Sequence, residues 1–174
     1  MKKSWKQFRW RGWMKEDSQR LHHTSSADEA ATGAIAARLA RQCGAGDCIL
    51  LNGDLGAGKT SFARGFIKAL SPATTEVISP TFNLLQTYPT DAGQTIWHFD
   101  LYRLEAAEEV VEIGLDEALQ SGITLIEWPD IAASELPPEA LTVHIGIGAG
   151  ADSHSRHFTF AGLASVWEKR LNTM

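Results

Sequence analysis

Cysteine is scarce in this 174-residue chain: only Cys43 and Cys48 are present. They lack the CxxC spacing and the sequence-adjacent histidines of a metal site, so a buried, reduced pair is expected, which favours the cytoplasm. Long apolar runs are missing too. None approaches 18 residues, so no segment is expected to span a membrane. The N-terminal residues have no apolar core of the kind a secretory signal needs. There is no internal repeat and no low-complexity linker. Positive charge is in short supply, with a net charge of −5, which argues against a broad nucleic-acid-binding face but leaves room for a local patch. The remaining composition, 44% hydrophobic and 21% charged, is that of one globular domain with a proper core.

The charge is unevenly spread. Residues 1–20 hold seven Lys or Arg against Glu16 and Asp17, with Trp5, Phe8, Trp10 and Trp13 interleaved. Such a stretch can stack on RNA and neutralise it. The reading preferred here is a disordered leader over residues 1–25, or an upstream start with Met14 as the usual initiator. The domain proper is then expected over residues 26–174.

The chain is organised around residues 48–61, Cys-Ile-Leu-Leu-Asn-Gly-Asp-Leu-Gly-Ala-Gly-Lys-Thr-Ser. A short apolar strand runs into a glycine-rich loop, and a segment of helical periodicity follows. This is the strand–GxxxxGK[ST]–helix order of a phosphate-binding loop. Gly53, Gly56 and Gly58 remove side chains from between the backbone amides and a phosphate, and they permit positive φ, so that successive amides can point inward. The helix start adds its unpaired N–H groups and the positive end of its dipole. Lys59 brings a point charge for the β- and γ-phosphates, and Thr60 a hydroxyl for Mg2+. The competing reading is a glycine-rich turn that happens to end in Lys-Thr.

Around that motif, Ser26 and Glu29 fit a capping box that opens a helix over residues 27–43. Phe62, Phe66, Ile67 and Leu70 form the buried face of the helix after the loop, which Ser71-Pro72 ends. Residues 77–82 are extended around Pro80. Residues 84–88 and 95–99 pair as a hairpin. Short helices are expected at 105–113 and 115–120, strands at 123–126, 141–147 and 157–160, and a last helix at 164–171. The sum is an α/β fold, a three-layer α/β/α sandwich of the phosphate-loop NTPase kind with a mixed, partly antiparallel sheet.

A phosphate loop needs a carboxylate to complete the Mg2+ shell, normally at the end of a neighbouring strand. Glu127 ends the run Ile123–Ile126, and Asp100 ends Ile96–Phe99. Each alone could be a solvated strand end. Beside a phosphate loop, Glu127 is read as the metal ligand, directly or through water, and Asp100 as the residue that orients the attacking water or joins the outer shell. Thr81 lies where nucleotide switches carry a hydroxyl that senses the γ-phosphate, though a plain strand-start threonine fits as well. His98 alternates with Trp97 and Phe99 and reads as an internal strand histidine rather than a catalytic one. His22, His23, His154 and His157 read as surface residues.

Four segments, in this order and spacing, carry a resemblance: Gly53-Asp-Leu-Gly-Ala-Gly-Lys-Thr60, Ser79-Pro-Thr-Phe82, His98-Phe-Asp-Leu-Tyr-Arg103 and Ile126-Glu-Trp-Pro129. Over roughly residues 27–161 the chain resembles the TsaE (YjeE) family. The resemblance implies an ATPase of the phosphate-loop α/β/α fold that acts with TsaD and TsaB in forming N6-threonylcarbamoyladenosine at position 37 of ANN-decoding tRNAs, the transfer itself belonging to TsaD and contact with tRNA being indirect. It implies that Leu55, Gly56, Ala57, Gly58, Lys59 and Thr60 hold the phosphates of ATP. Thr60 and Glu127 would hold Mg2+, Lys59 and Asp100 would serve catalysis, and Thr81 would belong to a switch-like loop. Trp128 would touch the nucleotide or a partner. Glu29 would lie near the adenine and Arg156 near the nucleotide. The basic, Trp-rich leader departs from the family.

Two other functions suit the residues. A small-molecule kinase would use the same loop, and a non-hydrolysing binding module would change its Thr81 loop with ATP. No Asn-Lys-x-Asp segment is present to read guanine, which favours ATP by default.

Overall fold

Two apolar runs set the centre of the sheet. Strand β2 (Cys48–Asn52) is buried until its last residue, and β5 (Ile123–Glu127) is buried throughout. A strand covered on both faces shows such continuous runs rather than alternation. The computed structural model describes residues 18–74, 76–148 and 154–174. The sheet it contains has seven strands, with the remaining ones β1 (Ser18–Ser26), β3 (Leu85–Pro89), β4 (Thr95–Asp100), β6 (Leu141–Ile147) and β7 (Arg156–Leu163). The order is β1-β7-β6-β2-β5-β4-β3. The four central strands β6, β2, β5 and β4 are parallel, while β3, β7 and β1 pair antiparallel at the edges. The expected mixed, partly antiparallel sheet is therefore present.

Helices cover both faces. Helices α1 (Glu29–Ala40), α2 (Lys59–Leu70) and α5 (Ala164–Leu171) share a core with Ile49, Leu51, Ile123 and Leu125. On the opposite face α3 (Glu108–Glu112), α4 (Leu115–Ser121) and a 3-10 helix at Pro129–Ala132 pack with Cys48, Leu50, Phe99 and Ile126. The alternation along β2 and β5 thus sends neighbouring residues into different layers. Both cysteines are free thiols, and burial pushes their pKa values up. Arg170 on α5 donates to the Gln42 carbonyl and the Asp47 carboxylate, which locks the last helix to the turn between α1 and β2. Among the described residues, no helix is long and apolar enough to cross a membrane.

Three expectations change. Residues 18–25, read as leader, belong to β1, which pairs with β7. It lies at a sheet edge and is mostly polar, with Leu21 its one apolar residue packed against the core, so apolar alternation is weak there while the backbone still pairs. The reading of residues 1–17 lies outside the described residues. The capping box is also replaced: Asp28, not Ser26, caps α1, accepting from the Ala31 amide at 2.7 Å. Ser26 instead bonds the Thr32 hydroxyl at 2.7 Å inside the fold. Helix α1 ends at Ala40, earlier than expected, and residues 41–43 continue as a tighter turn through Gln42 N–H to Leu39 and Cys43 N–H to Ala40.

Candidate phosphate-loop site

In open α/β sheets, ligands sit outside the carboxyl ends of the parallel strands. Here those ends carry Asn52 on β2, Asp100 on β4 and Glu127 on β5. Asp100 and Glu127 are register partners, so both carboxylates leave the sheet side by side. Both are buried.

The loop after β2 takes its shape from glycine. Gly53 (φ 149°) leaves no room for a side chain, because a Cβ would collide with the Ile145 carbonyl oxygen. Gly58 (φ 102°) occupies the left-handed region at the start of α2, where no side chain caps the helix. The first amides of α2 are thereby left facing the loop, a ready anion site. Ala57 is buried and its amide closes a turn on the Asp54 carbonyl at 3.0 Å. Leu55 stands at the tip, 77% exposed. Arg156 grips the loop, its Nε donating to the Ala57 carbonyl at 2.9 Å and its Nη2 to that of Gly56 at 3.4 Å.

Lys59 is buried and folded back onto the loop. Its ammonium donates to the Gly53 and Asp54 carbonyls at 2.7 and 2.9 Å. The Trp128 ring lies over it, 3.5 Å from Nζ to the ring centroid, in cation–π geometry. Burial pulls the lysine pKa down, against the opposing charges of Glu127, Asp100, Asp54 and Asp130. Trp128 holds φ 56°, a left-handed conformation uncommon outside glycine, directly before Pro129, with its ring tilted against that of Tyr102 at 5.0 Å between centroids.

The acids have defined partners. The Thr60 hydroxyl donates to Glu127 Oε2 at 2.9 Å, and His98 Nε2 lies 3.0 Å from Glu127 Oε1. Asp100 accepts from the Thr81 hydroxyl at 2.6 Å and from the Tyr102 amide at 3.1 Å, and Ser79 bonds Thr81 at 2.8 Å. A hydroxyl and a carboxylate oxygen converging at the loop mouth are hard oxygen donors, the set that Mg2+ takes. Glu29 reaches across from α1 to the first turns of α2, accepting from Ser61 at 2.9 Å and Arg64 at 3.1 Å.

Residues Leu55 to Thr60 form the loop and the start of α2, Asp100 and Glu127 end the strands beside it, Thr81, Trp128 and Arg156 contact these residues, and Glu29 reaches only Ser61 and Arg64 on α2. Sequence reasoning treated His98 only as an internal strand residue. It is fully buried, and it also contacts Glu127. Its two-residue spacing from Asp100 puts both on one face of β4, a signal that needed the register with β5 to be read.

A family model for "Threonylcarbamoyl adenosine biosynthesis protein TsaE" matches residues 26–157. The chain belongs to the TsaE family. It is similar to the tRNA threonylcarbamoyladenosine biosynthesis protein TsaE of Rickettsia felis, 48% identical over 120 residues that cover 69% of this chain and 70% of the relative. The TsaE of Bacillus subtilis is 40% identical over 132 residues, covering 75% and 80%. The crystal structure of Bacillus subtilis YdiB superposes with a TM-score of 0.72 at 30% identity, over 91% of this chain and 95% of that one. The TsaE match takes in the loop from Gly53 to Thr60, Thr81, Asp100, Glu127 and Trp128. The family's role is in the biosynthesis of threonylcarbamoyladenosine in tRNA.

Proposed function

We propose that this chain is a Mg2+-dependent ATPase that works with TsaD and TsaB in forming N6-threonylcarbamoyladenosine in tRNA, with the tRNA contacted through those partners. The observation that carries the reading is the meeting of Thr60 and Glu127 at the mouth of a glycine loop. The family membership supplies the pathway.

The amides of Gly56, Gly58, Lys59 and Thr60 receive the phosphate oxygens of ATP, joined by that of Ala57 once it leaves the Asp54 carbonyl. Lys59 leaves the Gly53 and Asp54 carbonyls for the β- and γ-phosphates, exchanging two neutral acceptors for charged ones. Thr60 and Glu127 hold Mg2+, which when bound neutralises charge on the phosphate oxygens. Asp100 orients a water for attack on the γ-phosphorus, and the bond to the departing ADP oxygen breaks. Thr81, already on Asp100, carries the state of the γ-phosphate into its loop. Leu55, Trp128, Glu29 and Arg156 frame the nucleotide. Turnover alone is slow because partner groups complete the site, as trans-acting arginines do in other phosphate-loop enzymes.

The test follows radiolabelled γ-phosphate with the chain alone and with TsaD and TsaB. Slow phosphate release, accelerated by the partners and lost in chelator, is expected. Label moving to a metabolite instead of water would replace the reading with a kinase. ATP-dependent partner binding without phosphate release would replace it with a binding module.

A further inference from the structure

The geometry points to His98 as a positioning residue that sets the orientation of Glu127, and so decides which carboxylate oxygen faces the loop. This rests on the reading of Glu127 as the Mg2+ ligand. His98 and Glu127 come from neighbouring parallel strands. In register, His98 stands opposite Leu125 and Asp100 opposite Glu127, so His98 reaches Glu127 along a diagonal of one sheet face. The imidazole is fully buried and the carboxylate nearly so. One carboxylate oxygen, Oε1, is taken by His98 Nε2 at 3.0 Å; the other, Oε2, is taken by Thr60 at 2.9 Å.

An ionised carboxylate only accepts hydrogen bonds, so the ring nitrogen facing it donates. Nδ1, on the other side of the ring, has no hydrogen-bond partner among the described residues. The ring therefore spends its one polar contact on Glu127. Without that contact the carboxylate could rotate about its last torsion, a broad and soft one. Oε1 and Oε2 would then exchange roles, and neither would stay aimed at Thr60. Carboxylate ligands of metals are generally held in this way by an outer hydrogen bond.

The experiment titrates MgCl2 into the full chain with a fluorescent ATP analogue, and measures nucleotide affinity separately in EDTA. His98→Leu is expected to raise the Mg2+ concentration for half-maximal binding by about 10- to 100-fold, the usual cost of losing such an outer contact, with affinity in EDTA unchanged. His98→Gln, whose amide can stand where Nε2 stands, is expected to keep the native Mg2+ requirement. Circular dichroism checks folding; where His98→Leu does not fold, His98→Asn, whose amide is too short to reach Glu127, takes its place in the comparison. An unchanged Mg2+ requirement in the folded Leu or Asn variant, or an equal rise in the Gln variant, overturns the inference. Glu127→Gln separates the two readings. If it leaves Mg2+ dependence intact, the metal assignment falls; if it removes that dependence while His98→Leu does not, only the role of His98 falls.

Discussion

Thr81 donates its hydroxyl to Asp100 at 2.6 Å, tying the loop after α2 to the end of β4. Asp100 is buried, so this bond to a charged acceptor is worth about 1.5–3 kcal/mol. Thr81→Val keeps the shape and loses the donor. Phosphate release should slow by roughly 10- to 100-fold if that energy is spent on the transition state, while Thr81→Ser should stay near the native rate. A Val variant as fast as the native chain would detach Thr81 from the chemistry.

Lys59→Ala removes an ammonium that costs desolvation in the free protein, so the fold should survive it. Phosphate release should fall by about 10²–10³-fold, the size of losing one preorganised group aimed at developing charge. The paired measurements are a steady-state rate and a thermal melt. A native rate in a folded variant would remove the site assignment.

Helices α1 and α2 touch through Gly33 and Gly65, but the two glycines are not equivalent. A Cβ on Gly65 would sit 2.6 Å from the Gly33 Cα, whereas one on Gly33 would sit 4.0 Å from the Gly65 Cα. Gly65→Ala must push the helices apart and should destabilise by about 1–3 kcal/mol. Gly33→Ala gains helix propensity at an ordinary contact and should be neutral or stabilising by up to about 1 kcal/mol. Urea unfolding of both variants tests the order, and the reverse order would refute this account of the helix contact.

His144 pairs with Asn52 in register, and burial lowers its pKa from the usual 6.5, with Asp54 pulling the other way. Between the lowered value and 6.5 the unfolded chain binds protons that the folded chain refuses. Stability contributed by neutral His144 is therefore complete above 6.5 and is lost as pH falls through that window. His144→Gln, which does not titrate, should show a smaller fall in melting temperature between neutral and mildly acid pH. Equal slopes in the two proteins would contradict it.

Most of the central sheet and the loop were legible because their signals are local. Helix α5 coincides with the expected 164–171, and β6 with 141–147, since each follows its own periodicity. The N-terminal strand was not legible. Strand β1 has few apolar residues, and its order comes from ladder bonds to β7, whose first residue, Arg156, lies 130 positions after Ser26. The cap of α1 was misplaced for a local reason: Ser26 and Asp28 are both competent N-caps, and in the fold Asp28 accepts from the Ala31 amide while Ser26 bonds Thr32.

By itself the sequence marked the glycine-rich loop and the Lys59-Thr60 pair that follows it, since these residues are contiguous and their spacing is a local signal. It also marked Asp100 and Glu127 as strand-end acids. Only the tertiary structure decided that these two stand side by side, that His98 reaches Glu127, that Arg156 braces the loop, and that Trp128 covers Lys59. Those relationships depend on strand order and register, which arise when the whole apolar surface is buried at once and which no local stretch of chain encodes.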